Sequence, residues 1–571
     1  MEKTIITKIL KRVLGILPLL FFTTFPIAAQ NPSWAKRAAN AVFTLKTFNN
    51  DGSLLASVNG FFINEQGMAV SSFAPFKNAQ HAVIIDAQGK EMEVDCLTGY
   101  NDMYDVAKFQ VLAKKTQALN IAQNPADKGA KLWLMPYAVK KVPVCTQGTV
   151  NSAEQFGEGY TYYTLDMATT DQQVGCPILN EQGEVVGILQ PSASENSTTA
   201  YAVSSRFANS LHMAGLSQND PVLRNIKIAK ALPDDLSEAT LSLYISASTM
   251  DTEEYDRLID RFIEKFPQAT DGYVYRARQK MGKEDFQGAD DDMKQALKVA
   301  DTKDDAHYQY AQLIFQKIVY QNDKPYDPWT LELALKESQT AFELNPQPLY
   351  RQQQAQILYA QQQYDTAYDL YMELAKTDMM KAESYYAAAQ CKIQKGDKEA
   401  GLTLLDSAVN TFTKPYIKTA APYLLARAQA LYEVQKYRPA VNDYNDYETL
   451  MTAQLNARFY FLREQAEFAG HLYQQALNDI RRAVEMEPNE LVYCAEKANV
   501  ELRVGMTDDA IESAKKCISI APQESDGYLL LGLAQCVKGQ KTEGLANLTK
   551  AKELGNSQAQ SLIGKYSKKS N

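Results

Sequence analysis

The sequence predicts a multidomain protein in which an all-β domain precedes an all-α solenoid built from pairs of helices. The chain has 571 residues, more than the roughly 250–300 residues at which a single hydrophobic core stops growing. Residues 34–215 form short alternating segments separated by Asn, Gly and Asp, which is typical of strands and turns. From residue 236 onward helical patterns recur, and Pro488 and Pro522, 34 positions apart, each end one of them.

The composition is that of an ordinary globular protein, with 45% hydrophobic and 22% charged residues, which argues against disorder and against a polytopic membrane protein. The net charge is −9, and no run of Lys and Arg forms the concentrated cationic face that nucleic-acid binding needs. The 7 cysteines are too few for a disulfide scaffold, and none shows zinc-site spacing. We therefore expect no nucleic-acid partner, no metal and no cofactor.

Residues 1–29 have the pattern of a signal peptide. Basic residues up to Arg12 precede the apolar stretch 13–25, and the small residues Ala28 and Ala29 follow it. The alternative is an uncleaved membrane anchor, but prolines interrupt the stretch, which is shorter than the roughly 20 residues needed to span a bilayer. We expect cleavage near Ala29 and export, to a periplasm or as a secreted protein, without stable membrane insertion afterwards.

Composition and pattern divide the mature chain into consecutive parts. Alternating segments at 41–48, 58–64, 82–85 and Val185–Leu189 predict strands. The predicted parts are a β domain over 30–215, a linker over 216–235, a helical solenoid over 236–559 and a tail over 560–571.

Several segments of the β domain occur in the order found in a known family. NGFFINEQGMAVSSFAPFKNAQ, NDMYDVAKFQV and QVGCPILNEQGEVVGI resemble the segments that carry the base, the orienting aspartate and the nucleophile of trypsin-like serine proteases of the high-temperature-requirement type. TAYAVSSRF is similar to the strand and loop beyond the nucleophile. The resemblance implies a double β-barrel of the trypsin-like fold.

The resemblance places Asp105 at the orienting aspartate, Ala74 at the general base and Val174 at the nucleophile. Gln172 falls where a glycine lets backbone N–H groups converge on the oxyanion. Acyl transfer needs a nucleophile, a base and oxyanion donors, so these identities predict a degenerate triad and a pseudoprotease.

An active peptidase with a displaced nucleophile is the alternative. Cys176 is the nucleophilic side chain next to the same turn, and His81 is the nearest histidine in sequence. Two other interpretations of Cys176 stay open, a small packed residue and a disulfide partner of Cys145.

The helical region resembles the tetratricopeptide repeat, in which small residues let paired helices approach closely. The segment that begins at Ser525 fits the family pattern at Tyr528, Gly532, Gly539, Gly544, Leu548 and Ala551. The resemblance implies about nine helix pairs, since neighbours must stack to bury their apolar faces.

In this family the position after the small residue of the first helix faces a groove. Here that position forms what we call the amide ladder: Gln312, Gln356, Gln390, Gln429, Gln465 and Asn499. An amide both donates and accepts hydrogen bonds, so the ladder could hold the backbone of an extended peptide, with Tyr386 and Phe461 adding stacking surface. Plain solvation of an exposed polar face is the alternative.

Three functions are therefore open. The first is an exported pseudoprotease whose repeats bind protein or peptide partners without cleavage. The second is an active trypsin-like peptidase that uses Cys176 and selects substrates through its repeats. The third is a structural adaptor that holds another assembly subunit at the cell envelope.

Overall fold

The computed structural model describes residues 31–157, 159–192, 198–377 and 380–567, so the predicted signal peptide lies outside the described residues. The chain divides into two compact units, with the boundary between Lys280 and Met281. In the described ranges no helix combines the length and the apolar character needed to cross a bilayer.

Within the described residues, six strands close into a first barrel because the fifth strand pairs with the sixth. They are β1 (Val42–Phe48), β2 (Leu54–Phe62), β3 (Met68–Ser71), β4 (His81–Ile85), β5 (Glu91–Asn101) and β6 (Val106–Val111). Because side chains alternate between the two faces of β1, Phe43 and Leu45 point into the core of this barrel. Val42, on the other face, belongs to a separate buried cluster.

In the described part of residues 131–204, six further strands close into a second barrel in the order β10-β11-β12-β9-β8-β7. They are β7 (Lys131–Leu134), β8 (Thr146–Phe156), β9 (Tyr160–Asp166), β10 (Pro177–Leu179), β11 (Val185–Leu189) and β12 (Thr199–Ser204). Phe61 and Val70 of the first barrel lie in the same buried cluster as Leu165 and Ile188 of the second. The predicted double-barrel fold is therefore confirmed, with an apolar junction between the barrels.

Short helices flank the barrels, α1 (Ala35–Ala39) and α2 (Phe207–Ser210). The predicted linker contains a short strand, β13 (Ala229–Lys230), which adds to β5 in parallel. It is followed by α3 (Leu236–Ser246), α4 (Thr252–Lys265) and α5 (Thr270–Gly282). Arg261 of α4 donates to Asp95 of β5 at 2.8 Å, so helices after residue 236 belong to the same compact unit as the barrels. The change from strand to helix pattern marks secondary structure, not the boundary of the compact unit.

The second compact unit is helical throughout its described length. Its helices are α6 (Phe286–Val299), α7 (Lys303–Tyr320), α8 (Leu331–Leu344), α9 (Pro348–Ala360), α10 (Tyr364–Leu374), α11 (Lys381–Gln394), α12 (Lys398–Val409), α13 (Ala421–Glu433), α14 (Tyr437–Met451), α15 (Ala457–Ala469), α16 (Tyr473–Met486), α17 (Leu491–Arg503), α18 (Thr507–Ile520), α19 (Ser525–Val537), α20 (Lys541–Glu553) and α21 (Ala559–Ser567). Each helix packs against the next one along the chain, which gives the repeat-like all-α region that the sequence predicts.

Close approach of paired helices depends on small residues. A Cβ added to Gly532 of α19 would lie 2.8 Å from the carbonyl oxygen of Gly544 in α20. A Cβ on Gly544 would lie 2.5 Å from the sulfur of Cys536. Both contacts are shorter than real Cβ contacts, so this pair of helices packs at a distance that only glycine allows.

Two arginines of the second unit, the buried Arg463 and the partly buried Arg427, bond to neighbouring helices. Arg463 of α15 donates from Nε and Nη2 to Asp479 of α16 at 2.5 and 2.9 Å, and from Nη1 to Glu448 of α14 at 2.6 Å. Arg427 of α13 makes the corresponding bidentate bond to Asp443 of α14, with both N–O distances at 2.7 Å. These forked contacts fix neighbouring helices relative to each other.

Candidate functional site

The first part of the site lies where the first barrel carries the positions of the predicted base and aspartate. Ala74 begins a short 3-10 helix, Ala74–Phe76, just after β3, and Asp105 directly precedes β6. Asp105 Oδ1 accepts a hydrogen bond from the backbone N–H of Ala74 at 2.6 Å. The structure therefore brings these two positions together, and the exposed methyl group of Ala74 has no atom that could accept a proton.

The predicted nucleophile position lies at the junction of the barrels. Val174 follows a 3-10 helix, Asp171–Gln173, and its side chain is buried. Its carbonyl oxygen accepts from the backbone N–H of Asn59 in β2 at 3.0 Å and from Asn59 Nδ2 at 3.2 Å. The turn of the second barrel is thus bonded directly to the first barrel.

The backbone donors of this turn are directed into the protein. The N–H of Val174 donates to the carbonyl of Asp171 at 3.2 Å, and that of Gly175 to Leu189 at 2.9 Å. The N–H of Cys176 donates to the carbonyl of Gln173 at 3.0 Å. An oxyanion hole needs donors aimed at the place where negative charge develops, and these three are already committed.

Asn59 and its neighbours fill the space beside the turn. Gly175 has a φ of +81°, and a Cβ there would lie 2.0 Å from the carbonyl oxygen of Asn59. The same oxygen accepts from Ser71 Oγ at 2.6 Å, while Asn59 Nδ2 donates to the carbonyl of Gln172 at 2.6 Å. Sequence reasoning missed Asn59 and Ser71, although a polar Asn59 between Val58 and a glycine inside a predicted strand was a usable signal.

The residues of the displaced-nucleophile alternative lie in different surroundings. Cys176 is 0% exposed, and burial raises the pKa of its thiol to about 12. His81 is half-exposed, and its Nε2 lies 2.5 Å from Glu93 Oε2. Reactive cysteines are accessible and have a lowered pKa, so the surroundings of Cys176 are those of an inert packed thiol. Cys145 and Cys176 are both free thiols and do not form the disulfide considered from sequence.

Part of the amide ladder lines one cavity in the helical unit. The cavity measures about 610 Å³ and lies across α11 to α15. Gln390, Gln429 and Gln465 line it together with Tyr386. Other lining residues, which sequence reasoning missed, are Ile393, Tyr432, Tyr444, Arg458 and Leu462. We call this space the groove cavity; it combines aromatic walls with amide groups that can pair with a peptide backbone.

The remaining predicted groove residues do not line the groove cavity. Gln312 and Gln356 line a second cavity of about 320 Å³ with the exposed Tyr320. Phe461 packs against Tyr493 with ring centroids 5.0 Å apart. Asn499 is partly exposed and donates to Glu496 Oε1 at 3.0 Å, so its amide already has a partner.

Among the residues that the structure describes, no group of three or more His, Cys, Asp or Glu side chains is placed to hold a metal ion.

The paired barrels define the class of the N-terminal domain as trypsin-like. Residues 58–188 match the family model of the trypsin-like peptidase domain, and the first barrel, the Asn59 contact and the Val174 turn all fall within or next to that match. The N-terminal domain is therefore a trypsin-like peptidase domain by fold.

Two solved structures are similar to this chain. The active form of the Rv3671c protease from M. tuberculosis is 16% identical, with 36% of this chain and 89% of that chain covered and a TM-score of 0.29. The inactive form of a serine-to-alanine mutant of Rv3671c from M. tuberculosis H37Rv is 18% identical, with 33% and 91% covered and a TM-score of 0.27. The assignment of the domain depends on the family match and on the closed barrels.

Proposed function

We propose that this protein binds peptide segments of partner proteins in its helical unit and does not cleave them. The observation that carries the proposal is the groove cavity, where three amide-ladder residues and Tyr386 share one space of about 610 Å³. A space of this size accommodates several peptide side chains, and the amides can bond to backbone N–H and C=O groups.

Absence of cleavage is supported by the trypsin-like domain itself. The base position holds Ala74, and the aspartate that would orient a base instead binds the backbone N–H of Ala74. The turn at Val174 offers no hydroxyl, and its carbonyl is bonded to Asn59. Loss of triad members costs on the order of a million-fold in rate, so hydrolysis by this route would be negligible. We infer that the domain is a pseudoprotease.

The tetratricopeptide assignment and export belong to the same proposal. The consecutive helix pairs, the glycine contact between α19 and α20 and the grouping of ladder residues support a tetratricopeptide solenoid. The basic and apolar pattern of residues 1–29 supports export to a periplasm or beyond. Cell fractionation combined with N-terminal sequencing of the mature protein tests export, and an intact N-terminus in the cytoplasm would contradict it.

The test of binding uses the purified mature chain on an array of random nonapeptides. Each neutral amide contact contributes roughly 1 kcal/mol to binding, so a single Gln→Ala change in the groove cavity should lower the affinity for captured peptides only several-fold. Simultaneous replacement of Gln390, Gln429 and Gln465 by Ala should nearly abolish capture. Replacement of Gln475 by Ala, an exposed amide of α16 outside the ladder, is the matched control.

Three results would redirect the proposal. Capture that survives the triple Ala variant would show that the ladder is only a solvated face. Casein hydrolysis by the wild type that Cys176→Ala abolishes would establish the displaced-nucleophile peptidase. A wild type that captures no peptide but copurifies stoichiometrically with one envelope subunit would favour the structural adaptor.

A further inference from the structure

The residue directly before each ladder amide is small in five of the six helices and is a glutamate in the sixth. The residue before each other ladder amide is alanine, at Ala311, Ala355, Ala389, Ala428 and Ala498. In α15 the corresponding residue is Glu464, which is 0% exposed. Its Oε1 has no hydrogen-bond partner among the described residues. An unpaired buried carboxyl group costs free energy, so its presence here calls for a physical reason.

A second, partly buried carboxyl group is close enough to Glu464 to act on it. Glu496 of α17 acts on Glu464 electrostatically, and both act on Tyr432, which lines the groove cavity. The neighbouring Arg463 is committed to Asp479 and Glu448 and so is not the partner of this pair. Two carboxyl groups therefore lie near Tyr432 on the wall of the groove cavity, and Arg463, the cation next to Glu464 in sequence, is bonded to other carboxylates.

Two amides of the ladder donate to these carboxyl groups. Gln465 Nε2 donates to Glu464 Oε2 at 2.7 Å, and Asn499 Nδ2 donates to Glu496 Oε1 at 3.0 Å. Because the amide nitrogen of Gln465 is held by Glu464, its carbonyl oxygen is the end left to meet a ligand in the cavity. This end of the cavity thus presents hydrogen-bond acceptors, which select for donor groups.

We propose that this end of the groove cavity binds a lysine or arginine side chain of the peptide ligand. The inference rests on the proposed peptide binding and specifies what the cavity recognises. The cationic group would bond to the Gln465 oxygen, lie against Tyr432, and be attracted by the carboxyl groups of Glu464 and Glu496.

The cations already on the cavity wall do not oppose this assignment. Lys398 is neutralised by Glu433, with Nζ 2.6 Å from Oε2. Arg458 is exposed, so solvent and salt screen its charge. A cation at the Gln465 end would be held by the lone pairs of the Gln465 oxygen and by the negative charge that Glu464 gains when it loses its proton to solvent.

Occupation by a cation should release a proton. Burial raises the pKa of both carboxyl groups in the free protein, that of Glu464 to about 9. An entering positive charge lowers both pKa values, and the proton goes to the solvent. The titratable groups that act on Glu464 are Glu467 on its own helix and Asp479 and Glu496 on the helices packed nearby, and Glu464 itself acts on Tyr432.

The test compares the full-length wild type with Glu464→Gln on the random nonapeptide array, with Glu485→Gln on the exposed side of α16 as the matched control. The wild type and the control should enrich peptides with Lys or Arg at one position. Glu464→Gln should lose that preference by roughly tenfold to a hundredfold, the usual effect of a charge-assisted contact. It should keep binding through the other amides, because glutamine preserves the shape of the side chain.

A second measurement uses only the wild type and so does not depend on the folding of a variant. One enriched peptide and its Lys→Gln counterpart are titrated by calorimetry at pH 7.5 in buffers of different ionisation enthalpy. The lysine peptide should release a fraction of a proton on binding, and its glutamine counterpart should release none.

The outcomes separate the two proposals. Enrichment of peptides without a preference for Lys or Arg would overturn this inference and leave peptide binding intact. A preference that Glu464→Gln retains in full would also overturn it, as would equal proton release by both peptides. Failure of the wild type to enrich any peptide would refute the proposed function and this inference together.

Discussion

Replacement of Glu464 by glutamine should stabilise the helical unit at neutral pH. The side chain is 0% exposed, and Oε1 lacks a partner among the described residues. Burial first, and then the charge of Glu496, raises the pKa of Glu464 from 4.5 to about 9. Glutamine keeps the volume, can accept from Gln465 as before, and can donate to Glu496.

The direction of the pH dependence follows from proton binding. Between pH 4.5 and about 9, the folded chain holds a proton on Glu464 that the unfolded chain has released. The free energy of unfolding therefore falls as pH rises through this window, by up to about 1.4 kcal/mol per pH unit. Glu464→Gln should remove this contribution and raise the free energy of unfolding at pH 7 by about 1–3 kcal/mol, the usual cost of an unsatisfied buried group.

The assay is urea unfolding followed by circular dichroism at 222 nm, at pH 5, 7 and 8.5. Glu485→Gln, on the exposed face of α16, is the control and should follow the wild type at each pH. The free energy of unfolding of Glu464→Gln should still fall partly as pH rises, because burial also raises the pKa of Glu467 to about 8. A variant as pH-dependent as the wild type, or less stable at pH 7, would refute the reasoning.

Three further substitutions test the packing and the degenerate site. Arg463→Met should lower the free energy of unfolding by about 3–5 kcal/mol, because it leaves buried carboxylates unpaired; urea unfolding measures it, and no loss would contradict the forked contact. Gly532→Ala should lower the free energy of unfolding by about 1–3 kcal/mol, since the added Cβ would lie 2.8 Å from backbone atoms of α20. The control is Gly564→Ala, where a Cβ would enter open space. In the same urea assay this control should leave the free energy of unfolding unchanged or raise it by up to about 1 kcal/mol. Ala74→His combined with Val174→Ser should leave casein hydrolysis at background, because the turn's N–H donors remain committed; measurable hydrolysis would show that the turn can rearrange.

Strand and helix positions followed closely from local sequence patterns. Segment 41–48 appears as β1, and segment Val185–Leu189 appears as β11 with the same bounds. Alternation and helical periodicity are short-range consequences of which face is buried, so they can be read without knowing the partner elements. The compact-unit boundary could not be read in this way, because it depends on long-range contacts such as Arg261 with Asp95.

The candidate site was only partly predictable for the same reason. The sequence places Ala74 and Asp105 next to each other through the family resemblance, and the structure joins them by a hydrogen bond. Asn59 gave only the weak signal of a polar residue inside a strand. Its bond to Val174 links positions 115 residues apart, which no local pattern encodes.

The sequence by itself determined the order of a β domain and an all-α region, and the residue types at the positions that the family resemblance gives to the triad. These are properties of local pattern and residue identity, because a position that holds Ala74 or Val174 lacks the reactive group in any fold. Only the tertiary structure decided how the N–H groups of the Val174 turn are used and which ladder amides share a cavity. It alone placed Glu496 where its charge acts on the buried Glu464 of another helix, since electrostatic interactions depend on distance and burial rather than on spacing along the chain.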